Sequence, residues 1–259
     1  MKILANDGLS EKAIKTLEGA SFEVLTTKVA QNQLAPFINE EQIDILLVRS
    51  ATQAKRDLID ACPALKLIGR GGVGMDNIDV VYAQEKGIKV INTPNASSHS
   101  VAELTFAHLF SGVRFLYDAN RNMPLEGDTR FNELKKDYAN GHELKGKTLG
   151  IIGLGRIGKA VATIALGLGM KVIAYDPEQQ EATITLSFFD GRSLDFVIKT
   201  ISKKEVLEEA DFITLHIPAQ KEAVIGEKEF QQMKDGVGII NVARGGVIDE
   251  EALLHALEH

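Results

Sequence analysis

Short apolar runs alternate with amphipathic stretches from the first residues onward. Lys2–Ala5, Phe22–Leu25, Asp44–Val48, Leu65–Gly69 and Lys89–Asn92 read as strands, with helical spacing between them in Lys12–Leu17, Arg56–Ala61 and Asp79–Gln84. Such βα repetition predicts a mostly parallel sheet covered by helices, one α/β unit over residues 1–97. A longer helix follows, opened by Ser100 and Glu103 in capping-box spacing, with Val101, Leu104, Phe106, Leu109, Val113 and Leu116 as its apolar surface. It is expected to link domains or subunits. Met123 to Lys147 is polar and interrupted by Pro124, Gly127, Gly141 and Gly146, the composition of a surface excursion before a new domain.

A second βα series then begins. It reads Thr148–Ile152 strand, Lys159–Leu168 helix, Lys171–Tyr175 strand, Lys203–Glu209 helix, Phe212–Ile217 strand, Lys228–Met233 helix and Val237–Val242 strand. Between its second strand and the next helix, period-two alternation on either side of Asp190-Gly191 predicts a β-hairpin with a tight turn. Asp249–His259 reads as a helix that feeds no further strand, so the chain is expected to be the amino-terminal part of a longer protein. Leu257-Glu258-His259 reads either as native helix or as the start of a histidine tag.

Composition narrows the partners. The chain has 259 residues, 44% of them hydrophobic, enough for a sizeable core, and a formal net charge of -7. No global basic field exists to gather nucleic acid or an acidic membrane, so a small-molecule partner is expected. Cys62 is the sole cysteine and reads as a core residue; an intramolecular disulfide and a metal site of several thiolates are excluded, and a reducing cytosol is the expected setting. No metal is expected. The amino terminus MKILANDG has no apolar signal region, and no run approaches the roughly 20 apolar residues that cross a bilayer. A soluble, cytoplasmic protein is the expectation.

The spacing GxGxxG occurs twice, in LIGRGGVG at Gly69, Gly71 and Gly74, and in IIGLGRIG at Gly153, Gly155 and Gly158. In a dinucleotide fold the next strand ends in an acid about 20 residues on, which accepts hydrogen bonds from the adenosine ribose. Eighteen residues beyond Gly158 stands Asp176; eighteen beyond Gly74 stands Asn92. Only the second turn has the acid. There Gly153 permits the tight bend, Gly155 lets the backbone approach a pyrophosphate, and Gly158 allows close helix–strand packing, with the helix start near Arg156 facing the phosphates. No arginine near Asp176 would neutralise a 2′-phosphate, so the cofactor predicted is NAD, not NADP.

Five segments now converge: VRSAT at Val48–Thr52, GRGGVGMDNID at Gly69–Asp79, VINTPNASSHSVAEL at Val90–Leu104, LGIIGLGRIGKAVA at Leu149–Ala162 and IINVARGGVIDEEAL at Ile239–Leu253. Together they resemble the D-isomer-specific 2-hydroxyacid dehydrogenases, and within that family the branch that oxidises 3-phosphoglycerate to 3-phosphohydroxypyruvate for serine synthesis. The resemblance implies an α/β fold of two parallel-sheet βα domains, a flavodoxin-like substrate domain over residues 1–97 and a Rossmann-type NAD-binding domain over residues 98–259. It implies that the second is incomplete at its carboxyl end, that the active site lies between the two, and that the protein is a homodimer. Arg244, the arginine of NVARGG, is implied to bind the carboxylate and the carbonyl or hydroxyl oxygen of a small phosphorylated 2-hydroxy or 2-oxo acid. Gly72 and Val73 would offer backbone groups to that carboxylate, Val73 also lying near the nicotinamide. Arg49 and Arg70 are candidate phosphate clamps, and Ser50 could add a hydroxyl. For the cofactor the resemblance adds Arg156, Ile157, His216, Pro218, Val242, Ala243 and Arg244 itself.

The family's general base, a histidine held by a glutamate after NVARGG, has no counterpart among these residues. A polypeptide of this extent is therefore expected to have little activity. His216 reads as a cofactor-lining or packed strand histidine and not as that base. Two rival readings stand beside the first: a glyoxylate or hydroxypyruvate reductase, which needs no phosphate clamp, and a regulator of the same fold that uses NAD to control association.

Overall fold

Five short strands, β1 (Lys2–Ala5), β2 (Glu23–Leu25), β3 (Ile45–Val48), β4 (Leu67–Arg70) and β5 (Lys89–Asn92), pair side by side and all parallel. Their order is β2-β1-β3-β4-β5, a doubly wound sheet whose strand order reverses between β1 and β3. The computed structural model describes residues 1–258 and divides into two compact units, Met1–Ser97 and Ser98–His259.

In the first unit α1 (Glu11–Gly19), α2 (Leu34–Glu40), α3 (Arg56–Ala61) and α4 (Val80–Glu85) cross between strands. Ser10 caps α1 and Asp79 caps α4, each side-chain oxygen accepting a backbone N–H of the first turn. The core gathers Leu4, Leu46 and Ile68 from the sheet with Leu34, Ile38 and Leu58 from the helices. Cys62 is fully buried there, and burial pushes its thiol up to about 11, so it is protonated and unreactive at neutral pH. The hydrophobic pattern did not predict α2, because Pro36 breaks the run. Yet proline in a first helical turn removes only an N–H that has no partner there, and Leu34 and Ile38 bury a turn apart.

The second unit carries a four-stranded parallel sheet of β6 (Thr148–Ile152), β7 (Lys171–Tyr175), β10 (Phe212–Leu215) and β11 (Gly238–Asn241), in the order β11-β10-β6-β7. Two helices, α5 (Ser98–Val113) and α7 (Arg156–Gly167), cover one face. They share a core of Ala102, Phe106, Leu109, Leu149, Ile151, Val161 and Ala165. The other face, with Ile152, Ile213 and Leu215, packs on α8 (Lys203–Glu209) and on Ile225, Val247 and Ile248, near α9 (Glu227–Phe230) and α10 (Glu250–Glu258). Between β7 and α8 stands the predicted hairpin, β8 (Glu181–Ser187) against β9 (Ser193–Lys199). Its turn closes through the Phe188 N–H on the Arg192 carbonyl at 2.8 Å, with Gly191 at φ +86°. Ala182, Ile184 and Ile198 seat it on α7.

Two expectations fail in the linking region. The helix begins at Ser98, two residues before the predicted cap Ser100, and it ends at Val113. Phe115, at φ +53°, turns the chain into α6 (Leu116–Asp137), so Leu116 belongs to a different helix and Leu104 is exposed. The predicted surface excursion is largely this helix. It runs through Pro124 and Gly127 and loses helical dihedrals only at Arg130, whose guanidinium pairs with Glu126 one turn before and with Glu133 at 2.7 Å. Local side-chain pairing sustains a helix that buries Leu134 alone. No helix among the described residues is long and apolar enough to cross a membrane, and no group of three or more His, Cys, Asp or Glu among them could hold a metal. His259, which the sequence places in the terminal helix, lies outside the described residues.

Candidate active site

The strand order of the second unit reverses between β6 and β10, the position where open α/β sheets bind ligands. There the chain leaves β6 through Gly153, at φ +96°, and enters α7 directly at Arg156. A Cβ on Gly153 would lie 2.6 Å from the His216 carbonyl oxygen, and one on Gly158 would lie 2.1 Å from the Gly153 carbonyl oxygen. These two glycines are required by packing. Gly155 differs: it caps α7, has no side chain to bond the first turn, and has nothing within 4 Å of where its Cβ would stand. The N–H groups of Arg156 and Ile157 head this open end, where the helix dipole favours an anion. The residues therefore fit a dinucleotide: a closed turn, a bare backbone approach and an uncapped helix terminus.

Asp176, at the end of β7, is more constrained than the sequence suggested. Its Oδ2 accepts the Leu154 N–H at 2.7 Å, and its Oδ1 accepts those of Glu178 at 2.8 Å and Gln179 at 3.1 Å. The Gln179 amide donates in turn to the Leu154 carbonyl at 3.0 Å. A carboxylate has about four acceptor sites, so three bonds leave one for a ribose hydroxyl. Asp176 thus braces the glycine turn, and Gln179, which the motif did not reveal, shares that work.

At the ends of β10 and β11 stand His216, Pro218, Val242, Ala243 and Arg244. His216 Nε2 lies 3.0 Å from the Thr214 hydroxyl, and Nδ1 is buried without a partner among the described residues. Burial pushes its pKa down to about 4, so the ring is neutral at physiological pH and suits a wall against an uncharged face of a cofactor. Asn241 holds the turn carrying Arg244: its Oδ1 accepts the Ala243 N–H at 3.0 Å and its Nδ2 donates to the Arg244 carbonyl at 2.9 Å. The Arg244 guanidinium donates to the Ala243 carbonyl at 2.8 Å.

The glycine turn of the first unit has a different form. No helix follows LIGRGGVG directly, since α4 starts only at Val80, and Asn92 donates to the Val73 carbonyl at 2.7 Å instead of presenting an acid. The Gly72 N–H turns back to the Arg70 carbonyl at 3.0 Å, while its own carbonyl accepts the Thr93 N–H at 3.2 Å. Gly72 is therefore engaged within the protein, and the N–H groups of Val73 and Gly74 are the ones without a partner among the described residues. Gly74 was missed as a candidate donor because the motif assigns it to packing. Arg70 lies over this loop, its Cζ 3.5 Å from where a Gly72 Cβ would stand, and Arg49 passes Gly71 at 3.6 Å by the same measure. Neither guanidinium forms an ion pair among the described residues. Ser50 is exposed beside Arg49.

Fold and turn together define an α/β protein built to bind a dinucleotide. The family model for the D-isomer specific 2-hydroxyacid dehydrogenase NAD binding domain matches residues 106–259. Hydroxypyruvate reductase of Thermotoga maritima is 43% identical over 97% of this chain and 77% of its own length. D-3-phosphoglycerate dehydrogenase of Methanocaldococcus jannaschii is 41% identical over the whole chain, which spans 47% of that protein. A solved structure of NAD+-bound 3-phosphoglycerate dehydrogenase from Entamoeba histolytica superposes with a TM-score of 0.75 at 31% identity, covering 100% of this chain and 76% of that one. The chain belongs to the D-isomer specific 2-hydroxyacid dehydrogenases, oxidoreductases whose cofactor is NAD.

Proposed function

We propose that this chain serves NAD-linked oxidation of 3-phosphoglycerate, with residues 1–97 receiving the substrate and residues 98–259 the cofactor. The observation that carries the reading is the pair Arg49 and Arg70 beside the first glycine loop: the Arg70 guanidinium lies over Gly72, the Arg49 side chain passes Gly71, neither guanidinium has a carboxylate partner among the described residues, and two loop N–H groups have no partner among them. Unneutralised arginines at strand ends suit a phosphate, and the loop N–H groups of Val73 and Gly74 suit a carboxylate. Bound NAD supplies the acceptor for hydride from the substrate's hydroxyl carbon. Gly153, Gly155, Arg156, Ile157 and Gly158 would hold its pyrophosphate, Asp176 its ribose, and His216, Pro218, Val242 and Ala243 would line it. Arg244, always charged and fixed from behind by Asn241, would orient the oxygens of the reacting carbon and its carboxylate.

Arg49→Ala and Arg70→Ala should each weaken 3-phosphoglycerate binding by roughly ten- to a hundredfold, the worth of a charge-assisted hydrogen bond, while D-glycerate binding changes little. Isothermal titration of both ligands measures this. Equal losses for both would favour the second reading, hydroxypyruvate or glyoxylate reduction, which the 43% identity to hydroxypyruvate reductase supports. For the cofactor, NAD should raise the Tm of the wild-type chain well above the effect of NADP, because the Asp176 side chain favours a ribose hydroxyl over a 2′-phosphate. Asp176→Ala should remove that difference and also lower the Tm without ligand, three backbone N–H groups losing their acceptor. An unchanged difference between NAD and NADP in the variant would refute the role given to Asp176. A homodimer is also proposed, on the exposed Tyr117, Leu125 and Phe131 of α6.

A further inference from the structure

We infer that Asp7 and Asn77 are positioning residues that hold the Arg49 peptide so that Arg49 and Arg70 meet one phosphate together; this rests on the phosphate-clamp reading above. Asp7 follows β1 and Arg49 follows β3, the two strands between which the order of the first sheet reverses. The Arg49 N–H donates to Asp7 Oδ2 at 2.6 Å. Its carbonyl accepts Asn77 Nδ2 at 2.8 Å and Arg70 Nε at 3.2 Å. Both sides of this residue's backbone are thus fixed by side chains, and one of those side chains is the second arginine of the clamp. With Nε committed to the Arg49 carbonyl, the Arg70 guanidinium can rotate only by breaking that bond.

The surrounding bonds show why this arrangement is rigid. Asp7 also accepts the Thr52 N–H at 3.1 Å and the Thr52 hydroxyl at 2.7 Å, and Asn6 Nδ2 donates to the same hydroxyl oxygen at 2.8 Å. Burial alone would raise the Asp7 carboxyl pKa, but the Thr52 hydroxyl and the N–H groups of Arg49, Thr52 and Ala51 outweigh it and leave the carboxyl below its ordinary value. Asp7 is therefore an internal anion that fills the N–H nest after β3, which leaves side chains, and not that backbone, to receive an external anion. Asn77, 6% exposed, donates a second time to the Thr52 carbonyl at 2.6 Å, so its amide closes residues 49 to 52 into one unit. Preorganised donors gain affinity because their ordering is complete before the ligand arrives.

The test uses Asp7→Asn and Asn77→Asp, near-isosteric changes that reverse the hydrogen-bonding sense from opposite sides of Arg49. The probes are 3-phosphoglycerate, D-glycerate and NAD, each titrated calorimetrically into the whole chain. Both variants are expected to lose about tenfold in 3-phosphoglycerate affinity, with D-glycerate and NAD affinities kept within about twofold. Parallel loss for D-glycerate, or for NAD, marks a merely structural role and overturns the inference. So does binding that depends on Arg49 and Arg70 yet ignores both variants, which leaves the clamp reading standing. Binding of 3-phosphoglycerate that is absent, or indifferent to Arg49→Ala and Arg70→Ala, overturns the clamp and this inference together.

Discussion

Gly158→Ala is expected to destabilise the second unit by about 3 kcal/mol or more and to abolish NAD binding. The methyl group would stand 2.1 Å from the Gly153 carbonyl oxygen and 3.3 Å from Ile151 Cγ2. Overpacking of this kind typically costs about 1–3 kcal/mol, and here the neighbour cannot yield. Gly153 is itself pinned, since its N–H donates to the Tyr175 carbonyl at 2.9 Å and the His216 carbonyl blocks its other side. The first turn of α7 would have to move away from β6. For a unit of this size a loss of 3 kcal/mol lowers Tm by roughly 10 °C. Gly155→Ala is the contrasting variant. Its Cβ meets nothing within 4 Å, so stability should stay within about 1 kcal/mol while NAD affinity falls, the methyl group occupying the approach of the pyrophosphate. Thermal unfolding with and without NAD separates the two. A Gly158→Ala protein that keeps the wild-type Tm and NAD shift would refute this account of the turn.

Acid should destabilise the protein through His216. In the unfolded chain this imidazole titrates near 6.5, whereas burial holds it at about 4 in the folded state. Its contribution to stability is complete above pH 6.5. As pH falls from there towards 4, the unfolded state takes up a proton that the folded state refuses, so stability is lost across that window and no further below it. The full difference is about 3 kcal/mol. Carboxylates also titrate in acid, so the comparison is with His216→Phe, a neutral ring of similar shape. Urea unfolding at pH 7 and pH 4 should show the wild type losing about 3 kcal/mol more than the variant. Parallel pH profiles would mean that the imidazole is solvated or protonated in the folded protein.

Much of this molecule was legible from periodicity. The strands β5, β6 and β7 and the helices α3 and α8 fall where the apolar runs and spacing put them. The Asp190-Gly191 turn was legible too, glycine being at ease with the positive φ that a short hairpin loop demands. The helix α6 was not, because Pro124 and Gly127 are punctuation in any local reading and the ion pairs of Arg130 that oppose them exist only once the helix has formed. Leu116 was assigned to the preceding helix because a left-handed Phe115 leaves no mark on an apolar pattern.

The sequence by itself determined which glycine turn suits a dinucleotide, since the spacing from Gly158 to Asp176 follows from the length of one βα unit. Tertiary structure decided what the side chains at the strand ends do. Asp7 and Gln179 lie outside the quoted segments, and Asn77 and Asn241 lie inside them without a role that spacing could assign, because the partners of all four lie across neighbouring strands or in turn geometry. Which N–H groups of the first glycine loop remain available was decided likewise, by the Gly72 bond to the Arg70 carbonyl. Spacing along a chain records periodic burial; the pairing of polar groups between adjacent strand ends depends on strand order, which spacing does not record.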